Sequence, residues 1–260
     1  MGLGGHLMWT AVARNIKSNL NQTCKPSENS IIFKNNPLFG SDGSYNLNLG
    51  DPKNIYLQDK GARIIWKSEK HVIEWICNHF GITNNISLKC ELYLTREEKL
   101  NAENIIKPLP KKYICIEPHS KMSWSQARIY PFDKWQAVVD ALCSEVQFVQ
   151  IGAPNSQRLN NAIYVDIPFR ESQELLRHAD LFVPLEGGLV HVANSADTKS
   201  VVLFNSYHTY PSTFHYPENA IIDIALYRDQ ISGYKRHELY QKEADAHDPE
   251  EIIVAIRNNL

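Results

Sequence analysis

Positive charge is not in excess in this chain. Lysine and arginine number 27 against 29 aspartates and glutamates, a formal net charge of −2, so the broad basic face of a nucleic-acid binder is absent. No run approaches the ~18 apolar residues of a membrane span. The opening MGLGGHLMWTAVARNIK has no basic n-region and no clean cleavage site, so a secretory signal is not expected there. Cysteine is sparse: Cys24, Cys77, Cys90, Cys115 and Cys143 are odd in number and scattered. Without CxxC or His/Cys ligand spacing, neither structural zinc nor a disulfide framework is expected. They read as small core residues in a reducing cytoplasm. The chain also lacks a full GxGxxG fingerprint. Gly2, Gly4 and Gly5 leave Leu7 where the third glycine belongs, and no strand precedes them. There is no DxD pair, no fixed-period repeat and no low-complexity tract.

What is present is a soluble globular composition, 43% hydrophobic over 260 residues, enough for one large or two small domains. The stretch Leu181–Phe204, LFVPLEGGLVHVANSADTKSVVLF, carries the clearest pattern. Leu181–Leu185 has the length of a buried strand, and Glu186-Gly187-Gly188 breaks it. Leu189, Val192, Ala193 and Ala196 recur at helical spacing, and Ser200–Phe204 is a second strand. Ligands bind beyond the carboxyl ends of strands in open α/β sheets. A helix starting at two glycines offers bare N–H groups and partial positive charge, which suits a phosphate. Glu186 and His191 flank that turn. The alternative is an ordinary turn whose glycines serve only for positive φ.

Elsewhere the periodicity predicts a helix over about 7–20, preceded by a glycine turn that sets His6 at its head. Short strands at Ile31–Phe33 and Ile55–Leu57 are expected in a loop-rich stretch. Helices follow at Lys70–Phe80, with a core stripe, and Thr95–Ile106, with a charged, solvated face. Prolines between lysines in Lys107–Lys112 mark a domain boundary, giving residues 1–108 and 109–260. The second part alternates strands (Tyr113–Glu117, Gln147–Ile151, Ala162–Ile167, Ala220–Leu226) with helices. One is capped by Asp133, one spans Glu171–His178, and the last starts at Asp248-Pro249-Glu250-Glu251 with capping-box spacing. Such alternation predicts a doubly wound parallel sheet.

The chemistry-bearing candidates lie at the ends of these strands. His6 is a possible base near neutral pH, or a surface histidine. Ser120, Lys121, Ser123, Ser125 and Arg128, after the first strand, offer hydroxyls and cations to an anion, or form a solvated loop. Gly152 to Gln157, after the next, would contact a nucleoside or simply turn. Together with the glycine loop at Gly4 and Gly5, these segments converge on one crevice between two α/β halves, a layout expected of a nucleotide-sugar transferase.

Three segments resemble glycosyltransferase family 9, the lipopolysaccharide heptosyltransferases. Gly5–Ile16, GHLMWTAVARNI, is similar to the family's GDxxxTxP opening, with Thr10 in register. Ile114–Trp135, ICIEPHSKMSWSQARIYPFDKW, is similar to its strand, polar loop and K-x-W-P-x-x-x-W element. His178–Phe204 is similar to its A-D-x-x-[IV]-[GS]-x-D-[ST]-G-x-x-H-[LI]-A-A-A element and the strand after it, keeping Ala179, Asp180, Gly188, His191 and Ala193. His6 stands where the family has an aspartate base, Arg128 where it has lysine, Glu186 for its donor-site aspartate, and Gly187 for the following Ser/Thr.

The resemblance implies a GT-B-like fold: two Rossmann-like domains facing a central cleft, the N-terminal one reduced and on the acceptor side. It implies a metal-independent, inverting transfer of a heptose or hexose-like sugar from a nucleoside-diphosphate sugar to a saccharide acceptor of a bacterial surface glycan. No cofactor is expected. A lipid-linked acceptor would add peripheral contact with the inner face of the membrane to a cytoplasmic location. His6 would take the acceptor proton, with Gly4, Gly5 and Thr10 around it. Arg128, Ser120, Lys121, Gly152, Gln157, Glu186, Gly187, Gly188 and His191 would hold the donor. The rivals are a non-catalytic relative that binds a nucleotide as a regulatory module, a nicotinamide enzyme, and a purely structural α/β protein. If Arg128 grips the leaving diphosphate, Arg128→Ala should lower turnover by about 10²–10³ with the fold intact. Unchanged turnover in steady-state assays would remove Arg128 from the site.

Overall fold

The structure, a computed structural model, describes residues 2–26, 29–40, 70–119, 129–206, 215–227 and 237–260. Ser120, Lys121, Ser123, Ser125 and Arg128 lie outside them, as does the strand expected at Ile55–Leu57. The described elements are α1 (Leu3–Leu20), α2 (Val72–His79), α3 (Arg96–Ile106), β1 (Ile114–Glu117), α4 (Phe132–Leu142), β2 (Phe148–Ile151) and β3 (Ala162–Val165). They continue with α5 (Ser172–Arg177), β4 (Leu181–Pro184), α6 (Gly188–Ala196), β5 (Val201–Phe204), β6 (Ala220–Asp223), α7 (His237–Ala246) and α8 (Glu250–Asn259).

All strand pairs are parallel, in the order β3-β2-β1-β4 and β5-β6. Bridges Phe182↔Ser200 and Leu185↔Leu203 lay β5 beside β4, giving 3-2-1-4-5-6. That order reverses between β1 and β4, so a crevice opens at their carboxyl ends. The central strands β1, β2, β4 and β5 are buried on both faces, which explains their continuous apolar runs, whereas the edge strands β3 and β6 are partly exposed. Side chains alternate between faces. Cys115, Phe182, Val202 and Phe204 pack under α1, α2, α5 and α6. Ile114, Ile116, Leu181, Val183, Val201 and Leu203 pack under α4 and α8, around the fully buried Trp135. Helix α1, with Leu7, Trp9, Val12 and Ile16, belongs to the first of these cores, which therefore joins residues on both sides of Lys107–Lys112. Among the described residues before that stretch, β-structure is confined to one bridge, Cys24↔Phe39.

Several local expectations are corrected. Helix α1 begins at Leu3, so Gly4 and Gly5 are helical and not a preceding turn. Ile31–Phe33 is one turn of 3-10 helix, because the Ser30 hydroxyl accepts from the Ile32 N–H at 3.2 Å. Pro131, and not Asp133, is the N-cap of α4. Its preset φ suits helix entry, and Asp133 instead lies in the first turn. At α8 the N-cap is Pro249, while the Asp248 carboxylate accepts from the Glu250 N–H at 3.0 Å.

Helix α7 had no clear apolar signal, since it is organised by polar contacts. Glu243 is fully buried. Its carboxylate accepts from the backbone N–H groups of Ser206 (3.0 Å), Leu226 (2.8 Å) and Tyr227 (2.9 Å), pinning the ends of β5 and β6. Lys134 Nζ donates to the carbonyls of Ala244, Asp245 and His247 at 2.6–2.9 Å, closing the other end of α7.

Helix α3 also departs from expectation, since its charged face is not wholly solvated. Thr95 and Glu98 form a capping box, and Glu98 also receives Arg170, which is 4% exposed. Arg170 Nε and Nη2 donate to Glu98 at 2.7 and 3.0 Å. Its Nη1 and Nη2 donate to the carbonyls of Ile31 and Tyr93, each at 2.6 Å. This guanidinium holds the Glu98 carboxyl down to about 2, from an ordinary 4.5. A depressed carboxylate contributes stability above its unfolded pKa and loses it as pH falls through the folded one. Arg170→Met should therefore cost about 3–5 kcal/mol near neutral pH. The gap to wild type should narrow between about pH 4.5 and 2, read by denaturant unfolding across that range.

Candidate active site

The glycines of the opening pattern serve a close approach. Neither Gly187 nor Gly188 lies in the left-handed region; among the described glycines only Gly81 does. Gly187 is extended, at φ 178°, and a Cβ there would meet only the Leu185 carbonyl at 3.7 Å. At Gly4 a Cβ would fall 2.9 Å from His191 Cδ2 and 3.0 Å from the Gly188 Cα. At Gly188 it would fall 3.2 Å from the Phe169 ring. The first turns of α1 and α6 thus meet backbone to backbone beside the carboxyl end of β4.

Neither helix has a side-chain N-cap or an acidic residue in its first turn. The first N–H groups of a helix lack intrahelical partners, and each N-terminus carries about half a positive charge. Two such ends in contact form a place where an anion is favoured. Glu186, one residue before Gly187, is 2% exposed, and its N–H donates to the Leu203 carbonyl at 3.1 Å.

His191 is 1% exposed. Its Nδ1 lies 2.6 Å from the Tyr216 hydroxyl, which lies 3.4 Å from Cys90 Sγ. Burial keeps both protonated, pushing the thiol up to about 12 and the phenol well above its usual range. The loops after β1 and β2 meet at the same sheet edge. His119 stacks on Phe132 with centroids 5.4 Å apart, and its Nε2 lies 3.0 Å from the Gln157 carbonyl. Gly152 is shaped by packing, since a Cβ would sit 3.0 Å from the Tyr164 ring.

His6 points elsewhere. Residues two apart on a helix face nearly opposite sides, so His6 looks away from the side on which Gly4 meets α6. The ring is 7% exposed. Its Nδ1 lies 2.7 Å from the Ser30 hydroxyl, and it packs on Phe33 with centroids 5.5 Å apart. Ser30 and Phe33 line a cavity of about 670 Å³ with Lys25, Pro26, Asn29, Ile31, Phe39 and Gly40. Thr10 is not presented to the crevice. Its hydroxyl donates to the Leu7 carbonyl at 2.6 Å and accepts from the Glu91 N–H at 2.8 Å, which ties α1 to the segment after α2. The structure therefore brings Gly4, Gly188 and His191 together and separates His6 from them. Tyr216, Cys90 and Phe169 were missed, for their roles rest on contacts between distant segments. Among the described residues no group of three His, Cys, Asp or Glu could hold a metal ion, and no helix is long and apolar enough to cross a membrane.

This packing makes a testable distinction between the glycines. Gly4→Ala should cost about 1–3 kcal/mol, because backbone must move. Gly187→Ala should stay within about 0.5 kcal/mol of wild type, as an unstrained change does. Denaturant midpoints of the two variants decide it, and equal effects would contradict the contact.

Comparison with known proteins bears on the fold and the family. No curated protein sequence matches the chain. A family 9 glycosyltransferase from Veillonella parvula superposes with a TM-score of 0.69 at 12% identity, over 99% of this chain and 94% of that one. The ADP-heptose lipopolysaccharide heptosyltransferase II of Escherichia coli superposes with a TM-score of 0.52 at 14% identity, over 73% of this chain and 61% of that one. At these identities the likeness concerns the fold, which is α/β and GT-B-like. The sequence model of glycosyltransferase family 9 (heptosyltransferase) matches residues 70–222, well over half of the chain and including the crevice residues Gly188 and His191, and the chain belongs to that family.

Proposed function

We propose that this chain transfers a sugar from a nucleoside-diphosphate sugar to a saccharide acceptor, by an inverting displacement without a metal. The observation that carries the reading is the contact of two uncapped helix N-termini at Gly4 and Gly188, in a member of a glycosyltransferase family. A leaving diphosphate is the anion such a pair would stabilise as its charge develops. The amides of Gly187 and Gly188 and the imidazole of His191 take its oxygens, joined by Arg128, Ser120 and Lys121, which follow β1 in sequence. Gly152 and Gln157 lie toward the nucleoside, and Glu186 holds a donor hydroxyl. Residues 1–108 form the acceptor side and residues 109–260 the nucleotide side.

His6 acts on the acceptor. Its ring shares Ser30 and Phe33 with the adjoining cavity. With its Nδ1–H donated to Ser30, Nε2 would be the basic nitrogen. In an inverting displacement the nucleophile and the leaving group occupy opposite sides of the reacting carbon, and His6 and His191 lie on opposite sides of the first turn of α1. The E. coli relative acts on ADP-heptose by its name, so a heptose donor and a lipopolysaccharide-type acceptor are the substrates we propose. A lipid-linked acceptor would bring the protein to the cytoplasmic face of a membrane.

A thermal-shift panel with ADP, GDP, UDP, CDP and NAD tests the reading. One nucleoside diphosphate, expected to be ADP, should stabilise the protein, by about 2.7 kcal/mol at a hundredfold excess over its dissociation constant. His6→Ala should keep that stabilisation and lose sugar transfer. A flat panel would refute the anion site, and a response to NAD alone would favour a nicotinamide enzyme.

A further inference from the structure

Behind the crevice lies a ring of polar contacts, buried at Tyr216, His191 and Cys90. The Tyr216 hydroxyl stands between His191 Nδ1 at 2.6 Å and Cys90 Sγ at 3.4 Å. The Cys90 N–H donates to Asn194 Oδ1 at 2.7 Å, one turn along α6 from His191. Asn194 Nδ2 donates to Glu218 at 2.9 Å, two residues beyond Tyr216. The His71 ring covers the phenol, with centroids 5.1 Å apart. The phenol is thus held against His191 from several sides.

One phenolic proton serves two neighbours, so the chain has a direction. Either the phenol donates to the imidazole and the thiol to the phenol, or the imidazole donates to the phenol and the phenol to sulfur. Sulfur is a weak acceptor, and an unprotonated imidazole nitrogen is a good one. The short contact is the one to nitrogen. The first arrangement places the strong acceptor at the short distance and leaves Cys90 as the weak donor.

We infer that Tyr216 is a positioning residue for His191, holding its imidazole in the Nε2–H tautomer, with that N–H on the ring edge beside Gly4 and the two helix ends. The ring edge with Cδ2 and Nε2 is the one that borders Gly4, at 2.9 and 3.5 Å from a Cβ built there. An N–H on that edge attracts an anion, whereas a lone pair repels it. The role toward a diphosphate rests on the function proposed above; the tautomer does not.

The test uses the full chain with ¹⁵N-labelled histidine, His191 being assigned by its loss in His191→Gln. Two-bond ¹H–¹⁵N spectra should show the Nε2–H pattern in wild type and its loss or mixing in Tyr216→Phe. Inorganic pyrophosphate affinity should fall about tenfold in Tyr216→Phe, the size of one hydrogen bond to a charged group. A glutamine at 191 supplies a side-chain N–H that needs no tautomer. In that background Tyr216→Phe should change affinity by less than about twofold. A wild-type Nδ1–H pattern overturns the inference. Equal losses in both backgrounds also overturn it, leaving Tyr216 as packing alone. If wild type binds no pyrophosphate, the anion-site reading fails, and the spectra still decide whether Tyr216 sets the ring.

Discussion

The structure depends on two helices being able to touch at their first turns. At Gly4 and Gly188 the backbones of α1 and α6 come so close that a Cβ on Gly4 would lie 3.0 Å from the Gly188 Cα. Through that contact Leu7, Trp9, Val12 and Ile16 join the core of the parallel sheet. It also places two positive helix ends side by side, which disfavours the empty arrangement and favours an anion. A packing requirement and an electrostatic one are met by the same missing Cβ. The rest of the site is arranged around it. Phe169 closes on Gly188, His191 lies against Gly4, and the next residue after Phe169, Arg170, ties the same loop to Glu98 and to the carbonyls of Ile31 and Tyr93.

The parallel sheet was readable because its central strands are buried on both faces. Runs such as Leu181–Leu185 and Ser200–Phe204 need no partner to be recognised, and family resemblance pointed to the glycine crevice between them. The reason for the glycines was not readable. A sequence shows that Gly187 and Gly188 follow a strand, but not that Gly4, far away in the chain, supplies the opposing surface. Local pattern even suggested a turn at Gly4 and Gly5, where the backbone is helical. Polar organisation was still less visible. Helix α7 is held by Glu243, whose partners are backbone amides at three remote positions and the Ser206 hydroxyl, and backbone groups leave no mark on composition. Tyr216 is likewise silent until folding brings it to His191 and Cys90.

Histidine geometry divides the proposed chemistry into two compartments. His191 is a core side chain with Nδ1 engaged by a phenol, so any part it takes toward a ligand uses the other edge of the ring. His6 has Nδ1 at a serine hydroxyl beside a cavity. A serine oxygen can accept from an imidazole and from the Ile32 amide at once, whereas a phenol beside a thiol is better used as a donor. Similar hydrogen bonds at the same ring nitrogen therefore favour opposite tautomers, one suited to holding an anion and the other to taking a proton.

The division also follows from helical geometry. Side chains two residues apart on α1 face away from each other, so Gly4 and His6 cannot serve one surface. A substrate lying across the tip of α1 would meet positive helix ends and His191 on one side, and His6 on the other. Replacing the family's aspartate by histidine fits this surrounding. A carboxylate at position 6 would be a negative charge at a residue 7% exposed and packed on Phe33. Burial penalises a charge far more than a neutral imidazole. The imidazole keeps a basic nitrogen there without that penalty, and the first turn of α1 remains free of acidic groups that would compete with an anionic donor for the helix ends.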